Sequence, residues 1–285
     1  MLHEEKQNAW RRGWVASQNY ALPRRRGPWR KGGGGDRNRV SGQSLDFNDH
    51  RPYVQGDDMR LVNWRVYAAT GQMVLKTFEE EVSPCADILI DGSQSMFYVE
   101  EKAIRSIEMI GWIVGSCQRQ GLRPNLMVMK NHGVENVEFF SEEQCPNIFN
   151  GVACSSIDLS HIPWRRNSLR VFLSDLLYPG DPLEWLRPLA KGAGLAWLYC
   201  PYDESESNPE WSDDMEMEDV ESGNKRRISL SSDLLKRYRL AYERHTEEAE
   251  STCTRLGVFF NRVNSQLPWS KVLPSLGEDG AQWVN

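Results

Sequence analysis

The chain has 285 residues, a net charge of −6 and 40% hydrophobic residues, an ordinary composition for a globular protein that can bury a sizeable core. No apolar run approaches the roughly 18 residues that a membrane helix needs, and the first 20 residues contain no signal-peptide core. Composition therefore excludes a membrane-spanning protein, and we expect a cytoplasmic one.

The cysteines and histidines do not follow a metal-binding or redox spacing. Six cysteines are scattered without a C-x-x-C pair, and five histidines form no pattern of the H-E-x-x-H type. Zinc sites and redox motifs need close spacing. We therefore expect free, mostly buried thiols in a reducing compartment and no zinc site.

Residues 1–40 are predicted to be a basic, flexible arm that ends in a glycine linker. They hold ten Lys or Arg against three acids, with Arg24–Arg26 at the centre and four successive glycines at 32–35. The glycines do not form a phosphate-binding loop, because no G-K-[ST] follows them. Such an arm can contact nucleic acid or an acidic partner, or dock on the chain's own acidic stretch at 203–221.

Strands and helices alternate from residue 85 onwards. An apolar run at 86–90 ends at Asp91, as a buried parallel strand does. The other elements that we expect are strands at 125–129, 137–140, 169–174, 194–199 and 258–260, and helices at 99–120, 182–190 and 231–256. This order predicts an α/β fold over residues 85–265, with a doubly wound, mainly parallel sheet and helices on both faces. An irregular or β segment at 41–84 precedes it, and a C-terminal tail at 266–285 follows.

A candidate metal site follows the first buried strand. Asp91, Ser93 and Ser95 are spaced two residues apart on a short loop, and Asp175 ends another expected central strand. Ligands of doubly wound sheets bind outside the carboxyl ends of the strands. An all-oxygen ligand set of this kind suits Mg²⁺ or Mn²⁺. The alternative is that the two serines only cap the helix that follows.

The D-x-S-x-S loop resembles the metal-ion-dependent adhesion site of von Willebrand factor A domains. That resemblance implies that the two serines and a threonine of a second loop bind the metal directly, and that the aspartates act mainly through water. It also implies that a partner's carboxylate fills the open position. In place of the threonine this chain offers Ser155 or Ser156, of which we take Ser156 as the weak fifth ligand.

Residues 51–64 resemble the R-x-Y-x-x-G-D-D-x-R signature of the domain-of-unknown-function 58 family. The matching positions are Arg51, Tyr53, Gly56, Asp57, Asp58, Arg60 and Trp64. The family's D-x-E-x-G turn is matched by residues 219–223. The resemblance implies that this segment packs on the core. It also implies a non-enzymatic adaptor that works with a MoxR-type AAA+ ATPase, or with a client protein offering an acidic side chain, in complex assembly or maturation.

Two other functions remain open at this point. Asp46, Asp49, His50, Asp57 and Asp58 crowd the segment 46–58, and such groups can serve a metal-dependent hydrolase or nuclease. The arginines between them favour a structural role, in which Arg60→Ala leaves a partly buried carboxylate unpaired and lowers the melting temperature. The arginine-rich arm makes a nucleic-acid-binding protein the second alternative, against which the net acidity weighs.

Overall fold

A computed structural model describes residues 3–22, 45–80, 85–130, 133–137, 151, 157–211, 214–279 and 282–283. The chain divides into two compact units. One is Arg30–Ser83, and the other combines Met1–Trp29 with Pro84–Asn285. The larger unit combines two stretches that are distant in sequence. Its amino-terminal part therefore belongs to the same compact unit as the strands that follow residue 84.

The described elements alternate between strand and helix through most of the larger unit. The helices are α1 (His3–Ala16), α2 (Trp64–Thr70), α3 (Ser95–Tyr98), α4 (Glu100–Arg119), α5 (Pro182–Ala190), α6 (Glu204–Ser207), α7 (Ser232–Leu256) and α8 (Trp269–Asp279). The strands are β1 (Tyr20–Ala21), β2 (Leu45–Pro52), β3 (Val74–Glu80), β4 (Cys85–Asp91), β5 (Arg123–Lys130), β6 (Gly133–Val137), β7 (Leu169–Leu173), β8 (Leu195–Tyr202), β9 (Asp214–Glu218), β10 (Lys225–Ser229), β11 (Phe259–Asn264) and β12 (Gln282–Trp283).

Six of the described strands form the main sheet, in the order β11-β8-β7-β4-β5-β6. All neighbours are parallel except β5 and β6, which are antiparallel. The central strand β4 pairs Ile88 with Val171 on one side and with Leu126 on the other. Parallel strands are joined by crossover helices, so their carboxyl ends share one edge of the sheet.

Helices cover both faces of this sheet. Along β4, Ile88 and Ile90 belong to one buried cluster with α4, whereas Leu89 belongs to a second cluster with α5 and α7. Successive side chains of a strand point to opposite faces, so a strand buried on both sides must be apolar throughout. The doubly wound, mainly parallel α/β fold predicted from the sequence is confirmed.

Helix α1 differs from the flexible arm that the sequence predicts for residues 1–40. It packs against α4, with Ala9 and Trp10 in the core, and the Arg12 guanidinium lies 2.6 Å from a carboxylate oxygen of Glu108. Trp10 is the only large aromatic residue of α1 that is buried, and many of the other residues of this helix are charged. The amphipathic pattern of the sequence is therefore weak. The arginines at 24–26 and the glycines at 32–35 lie outside the described residues.

The carboxyl-terminal part also differs from the tail that we expected. Helix α8 buries Val272, Leu273 and Leu276 in the same cluster as α4. The acidic stretch that was expected to be a loop contains the short helix α6 and the first strand of an antiparallel hairpin, β9–β10. Both differences come from short elements whose stability depends on partners that are distant in sequence.

The smaller unit contains an antiparallel pair, β2–β3, and the short helix α2. Asp57 accepts a hydrogen bond from the Val54 amide (2.9 Å), and Asp58 caps a short 3-10 helix by accepting from the Arg60 amide (3.0 Å). The carboxylate that Arg60 contacts, Asp58, is partly buried as expected, with 25% of its side chain exposed. The Arg60 side chain is 87% exposed, so its bond to Asp58 is a surface pair, which contributes little to stability.

The described cysteines are free thiols, as their spacing predicts. Cys117, Cys200 and Cys253 are buried in the larger unit. Burial raises the pKa of each of these three thiols to about 12. A thiol that stays protonated is a poor nucleophile, so these three are packing residues.

Candidate functional site

Asp91 ends β4 and lies fully buried at the carboxyl edge of the sheet. It accepts hydrogen bonds from the Ser93 amide (2.9 Å), the Ser174 hydroxyl (2.6 Å) and the Tyr178 hydroxyl (2.8 Å). Ser174 directly follows the neighbouring strand β7, so the pairing of β4 with β7 brings these donors to it. Three donors satisfy most of the acceptor capacity of this carboxylate.

The electrostatic environment of Asp91 opposes its negative charge. Burial raises its pKa most, and the nearby charge of Asp175 raises it further, to about 6. The hydrogen bonds from Ser174 and Ser93 act in the opposite direction. The hydrogen bonds that Asp91 accepts favour its ionised form, and without them the carboxyl group would be harder to ionise at neutral pH.

The loop after Asp91 turns tightly past β5. The Gly92 amide donates to the Met129 carbonyl (3.0 Å), and a Cβ on Gly92 would lie 2.4 Å from that same oxygen. Only glycine fits such a close approach of two backbones. The hydroxyl oxygens of Ser93 and Ser95 then lie 3.1 Å apart and share a hydrogen bond.

Glu221 reaches this loop from the turn between β9 and β10. Its Oε1 accepts from the Ser95 amide (2.9 Å). Asp219 builds the turn by accepting from the amides of Glu221 (3.0 Å) and Ser222 (2.7 Å), and Gly223 closes it with a positive φ of 69°. The turn that resembles the family's D-x-E-x-G motif therefore directs a carboxylate onto the candidate metal loop.

Asp175 is the second strand-end carboxylate, and it is held by a buried lysine. Its Oδ2 lies 2.8 Å from the Nζ of Lys102, which also lies 2.5 Å from Oε1 of Glu206. The Lys102 side chain is 0% exposed. It comes from α4, whereas Glu206 comes from α6, so one ammonium joins a helix, a strand end and a second helix.

The structure brings four of the five candidate metal ligands to one edge of the sheet. Asp91, Ser93 and Ser95 lie on the same loop, and Asp175 lies at the end of the adjacent strand. Ser156 lies outside the described residues. Gly151, five residues before it, is described, and a Cβ added there would lie 3.1 Å from Cα of Gln94 on the same loop.

The four described members of the predicted ligand set do not together fit a divalent ion in this arrangement. The serine oxygens are spaced well, since neighbouring ligands of an octahedral Mg²⁺ are about 2.9 Å apart. The aspartates are not: Asp91 accepts three protein hydrogen bonds, and Asp175 is paired with an ammonium, which repels a metal cation. Within the described parts of the chain, no three His, Cys, Asp or Glu side chains cluster as metal ligands do.

Sequence reasoning missed four side chains of this edge: Lys102, Tyr178, Glu206 and Glu221. Glu221 was within a quoted motif, so the motif was the available signal. Lys102 gave none, because a lysine early in a helix is normally exposed and its two partners lie 73 and 104 residues away.

The Asp- and His-rich segment of the enzyme alternative lies in the smaller unit. Asp57 and Asp58 there direct carboxylate oxygens to backbone amides at 2.9 and 3.0 Å. Gly56 allows the turn with a φ of 105°. Trp64 contacts the Tyr67 ring edge-on at 6.0 Å. The side chains of Asp46, Asp49, His50 and Arg51 lie outside the described part of the structure.

Comparisons with known proteins give one family match. Residues 49–138 match the model of a family described as Protein of unknown function DUF58. A solved structure, "Crystal structure of conserved hypothetical protein BatB from Bacteroides thetaiotaomicron", is 14% identical, with a TM-score of 0.34. The alignment covers 68% of this chain and 98% of that one. A comparison with curated proteins gave no match.

Over the described residues, none of the helices combines the length and the apolar character that crossing a bilayer requires. The longest, α7, has 25 residues and carries charged residues along its length. This agrees with the absence of a membrane-length apolar run in the sequence.

Proposed function

We propose that this chain is a non-enzymatic interaction protein whose binding face is the carboxyl edge of the main sheet. The observation that carries the proposal is the exposure of large apolar side chains at this edge. Tyr98, at the end of α3, is 75% exposed, and Leu177, two residues after Asp175, is 43% exposed. Tyrosine is among the residues that most often anchor protein interfaces.

The charged groups of the edge support binding over catalysis. Asp175 and Glu206 are ion-paired with Lys102, and the buried Asp91 accepts three protein hydrogen bonds. General acid–base chemistry needs a titratable group that can reach a substrate proton. The described carboxylates of the edge instead hold the loops in place, which suits a rigid surface for a partner.

The partner that we test first is a MoxR-type AAA+ ATPase, because the resemblance of residues 51–64 to the domain-of-unknown-function 58 family implies one. The family match over residues 49–138 supports that choice. A client protein with an acidic side chain is the other partner that the resemblance implies. In this account the chain acts as an adaptor in complex assembly or maturation.

The experiment is affinity capture of a MoxR-type ATPase by wild type and by Tyr98→Ser. We expect the variant to lose at least about tenfold in captured ATPase, since interface anchors contribute roughly 2 kcal/mol or more. Leu177→Ser should weaken capture in the same direction. Capture is repeated in EDTA, where the wild type should retain its partner.

Val15→Ser is the matched control. Val15 is 56% exposed on α1, whose end lies beside the last turn of α4, where the Arg119 guanidinium donates to the Gln18 carbonyl. That position is at the opposite end of α4 from the site loop. Equal capture by wild type and Tyr98→Ser, or no capture of the ATPase by any form, would contradict the proposal.

A further inference from the structure

Lys102 is a fully buried cation that pairs with Asp175, one of the carboxylates that the resemblance to von Willebrand factor A domains assigns to a metal site. Its Nζ lies 2.8 Å from Asp175 and 2.5 Å from Glu206, and none of its side chain is exposed. Lysines are almost never fully buried unless they are paired. Here the pairing is double, so the ammonium is enclosed by two carboxylates from different elements.

The electrostatics keep this lysine charged. Burial by itself lowers the pKa of Lys102, but the charges and hydrogen bonds of Asp175 and Glu206 outweigh burial and raise the pKa above its ordinary value. Burial also raises the pKa of Glu206, and the ammonium of Lys102 offsets part of that rise. The cation and its two carboxylates are therefore mutually dependent.

Each carboxylate of the triad is also held by its own element. Oδ1 of Asp175 accepts a hydrogen bond from the Leu177 amide (3.2 Å). Leu177 is one of the exposed side chains of the proposed binding face. Oε2 of Glu206 accepts from the Asp203 amide (3.1 Å) in the capping box of α6. The Glu206 carbonyl accepts from the Tyr238 hydroxyl (2.7 Å) of α7. Lys102 thus fixes α4, the end of β7, α6 and, through it, α7.

We propose that Lys102 is a built-in cation of the sheet edge, which holds Asp175 and Glu206 in one ion-paired cluster so that the edge keeps its shape and binds its partner without a divalent metal. The inference rests on the proposed function only for the existence of a partner. Its chemical content is that a covalently attached ammonium supplies a positive charge beside Asp175, the only one of the two carboxylates that was expected to serve Mg²⁺ or Mn²⁺. Both oxygens of Asp175 are already occupied, Oδ2 by the Lys102 ammonium and Oδ1 by the Leu177 amide, so a metal ion would have to displace one of these donors.

The first test uses the full chain and no partner. Chelator-treated wild type is titrated with Mg²⁺ and with Mn²⁺ in a calorimeter, and its melting temperature is measured in EDTA and in excess of each ion. We expect no saturable heat and the same melting temperature in all conditions. A saturable heat that Asp91→Ala abolishes would overturn the inference.

The second test removes the ammonium. Lys102→Met keeps an unbranched side chain that is one atom shorter, but it leaves two buried carboxylates without their cation, which is strongly destabilising for a buried pair. For a chain of this size we expect the melting temperature to fall by about 10 °C. A variant that fails to fold is the same result in its extreme form.

Lys225→Met is the matched control for the second test. Lys225 pairs with Glu218 at 3.2 Å, but both side chains are 55% exposed, so its loss should shift the melting temperature by no more than about 1 °C. Equal melting of the two methionine variants would overturn the inference. The calorimetric and melting measurements need no ATPase, so their outcome does not depend on the capture experiment. Melting that depends on metal would overturn this inference but would not bear on the proposed partner.

Discussion

Glu221 shows how single side chains assemble this edge from distant parts of the chain. It lies 126 residues from Ser95, yet its carboxylate accepts from the Ser95 amide at 2.9 Å. The loop thereby gains an acceptor for a backbone donor at the start of α3, where the first amides of a helix have no partner within the helix. The same contact ties the β9–β10 hairpin to the loop between Tyr98 and Asp91.

Glu221→Ala should release the Ser95 amide. Loss of one hydrogen bond of about 1 kcal/mol corresponds to roughly fivefold faster hydrogen exchange of the loop peptide that contains residues 92–97. Exchange is measured by mass spectrometry on wild type and variant. Glu221→Gln, which retains a carbonyl acceptor, should exchange like wild type.

Glu216→Ala is the control for this measurement, because Glu216 is exposed on β9 of the same hairpin. It should leave exchange in the loop unchanged. Equal exchange rates in wild type and Glu221→Ala would mean that the hairpin does not protect the loop.

At the residue scale, the sequence predicts side chains that neighbour one another along the chain and misses those that do not. Asp91, Ser93 and Ser95 are found from their spacing, and Asp175 from its place after an apolar strand. Lys102 cannot be found in that way, because its burial depends on how α4, the end of β7 and α6 come together in the fold. Its pairing with Asp175 changes the chemistry expected of the whole edge.

Helices α1 and α4 pack closely enough for glycines to be required between them. A Cβ on Gly111 would lie 2.5 Å from the Trp10 carbonyl, and a Cβ on Gly13 would lie 1.8 Å from the Glu108 carbonyl. Both contacts are with backbone atoms, which cannot turn aside as side chains do. Helix α1 is therefore an integral part of the core of the larger unit.

Gly111→Ala should destabilise the protein by roughly 1–3 kcal/mol, as overpacking does in other cores. Helix propensity alone predicts the opposite sign, a gain of about 1 kcal/mol, because alanine favours a helix over glycine. The free energy of unfolding is measured by denaturant titration. A variant more stable than wild type would show that α1 does not pack on α4 in solution.

Gly115→Ala provides the comparison. A Cβ there would lie 2.4 Å from the Ser17 hydroxyl oxygen, which belongs to a side chain that can rotate away. Its effect should therefore be smaller than that of Gly111→Ala. The difference separates a clash with backbone from a clash with a movable side chain.

At the element scale, the sequence predicts the long, strongly periodic elements well. Helices expected at 99–120, 182–190 and 231–256 correspond to α4, α5 and α7, with bounds that differ by at most one residue. The elements that it misses include α1, α3, α6, α8 and the β9–β10 hairpin. They are short or rich in charge, and their apolar residues face partners that no local pattern reveals.

The whole molecule presents one edge of its main sheet as the proposed face. Parallel strands place the ends of β4 and β7 side by side, which puts the loops that carry Tyr98 and Leu177 at the same edge. Below them, Lys102 forms ion pairs with two carboxylates, and the buried Asp91 accepts three hydrogen bonds. The fold thus supports a rigid, metal-independent surface with apolar anchors.

Hydrogen exchange with and without the MoxR-type ATPase, in EDTA, tests this account most directly. The account predicts that the ATPase slows exchange in the peptides covering residues 92–98 and 174–178. Peptides of α5, which packs in the second core cluster, serve as the internal reference. They should exchange at the same rate in both states. Slowing confined to residues 45–80, or to the β9–β10 hairpin, with no change at the sheet edge would contradict the account.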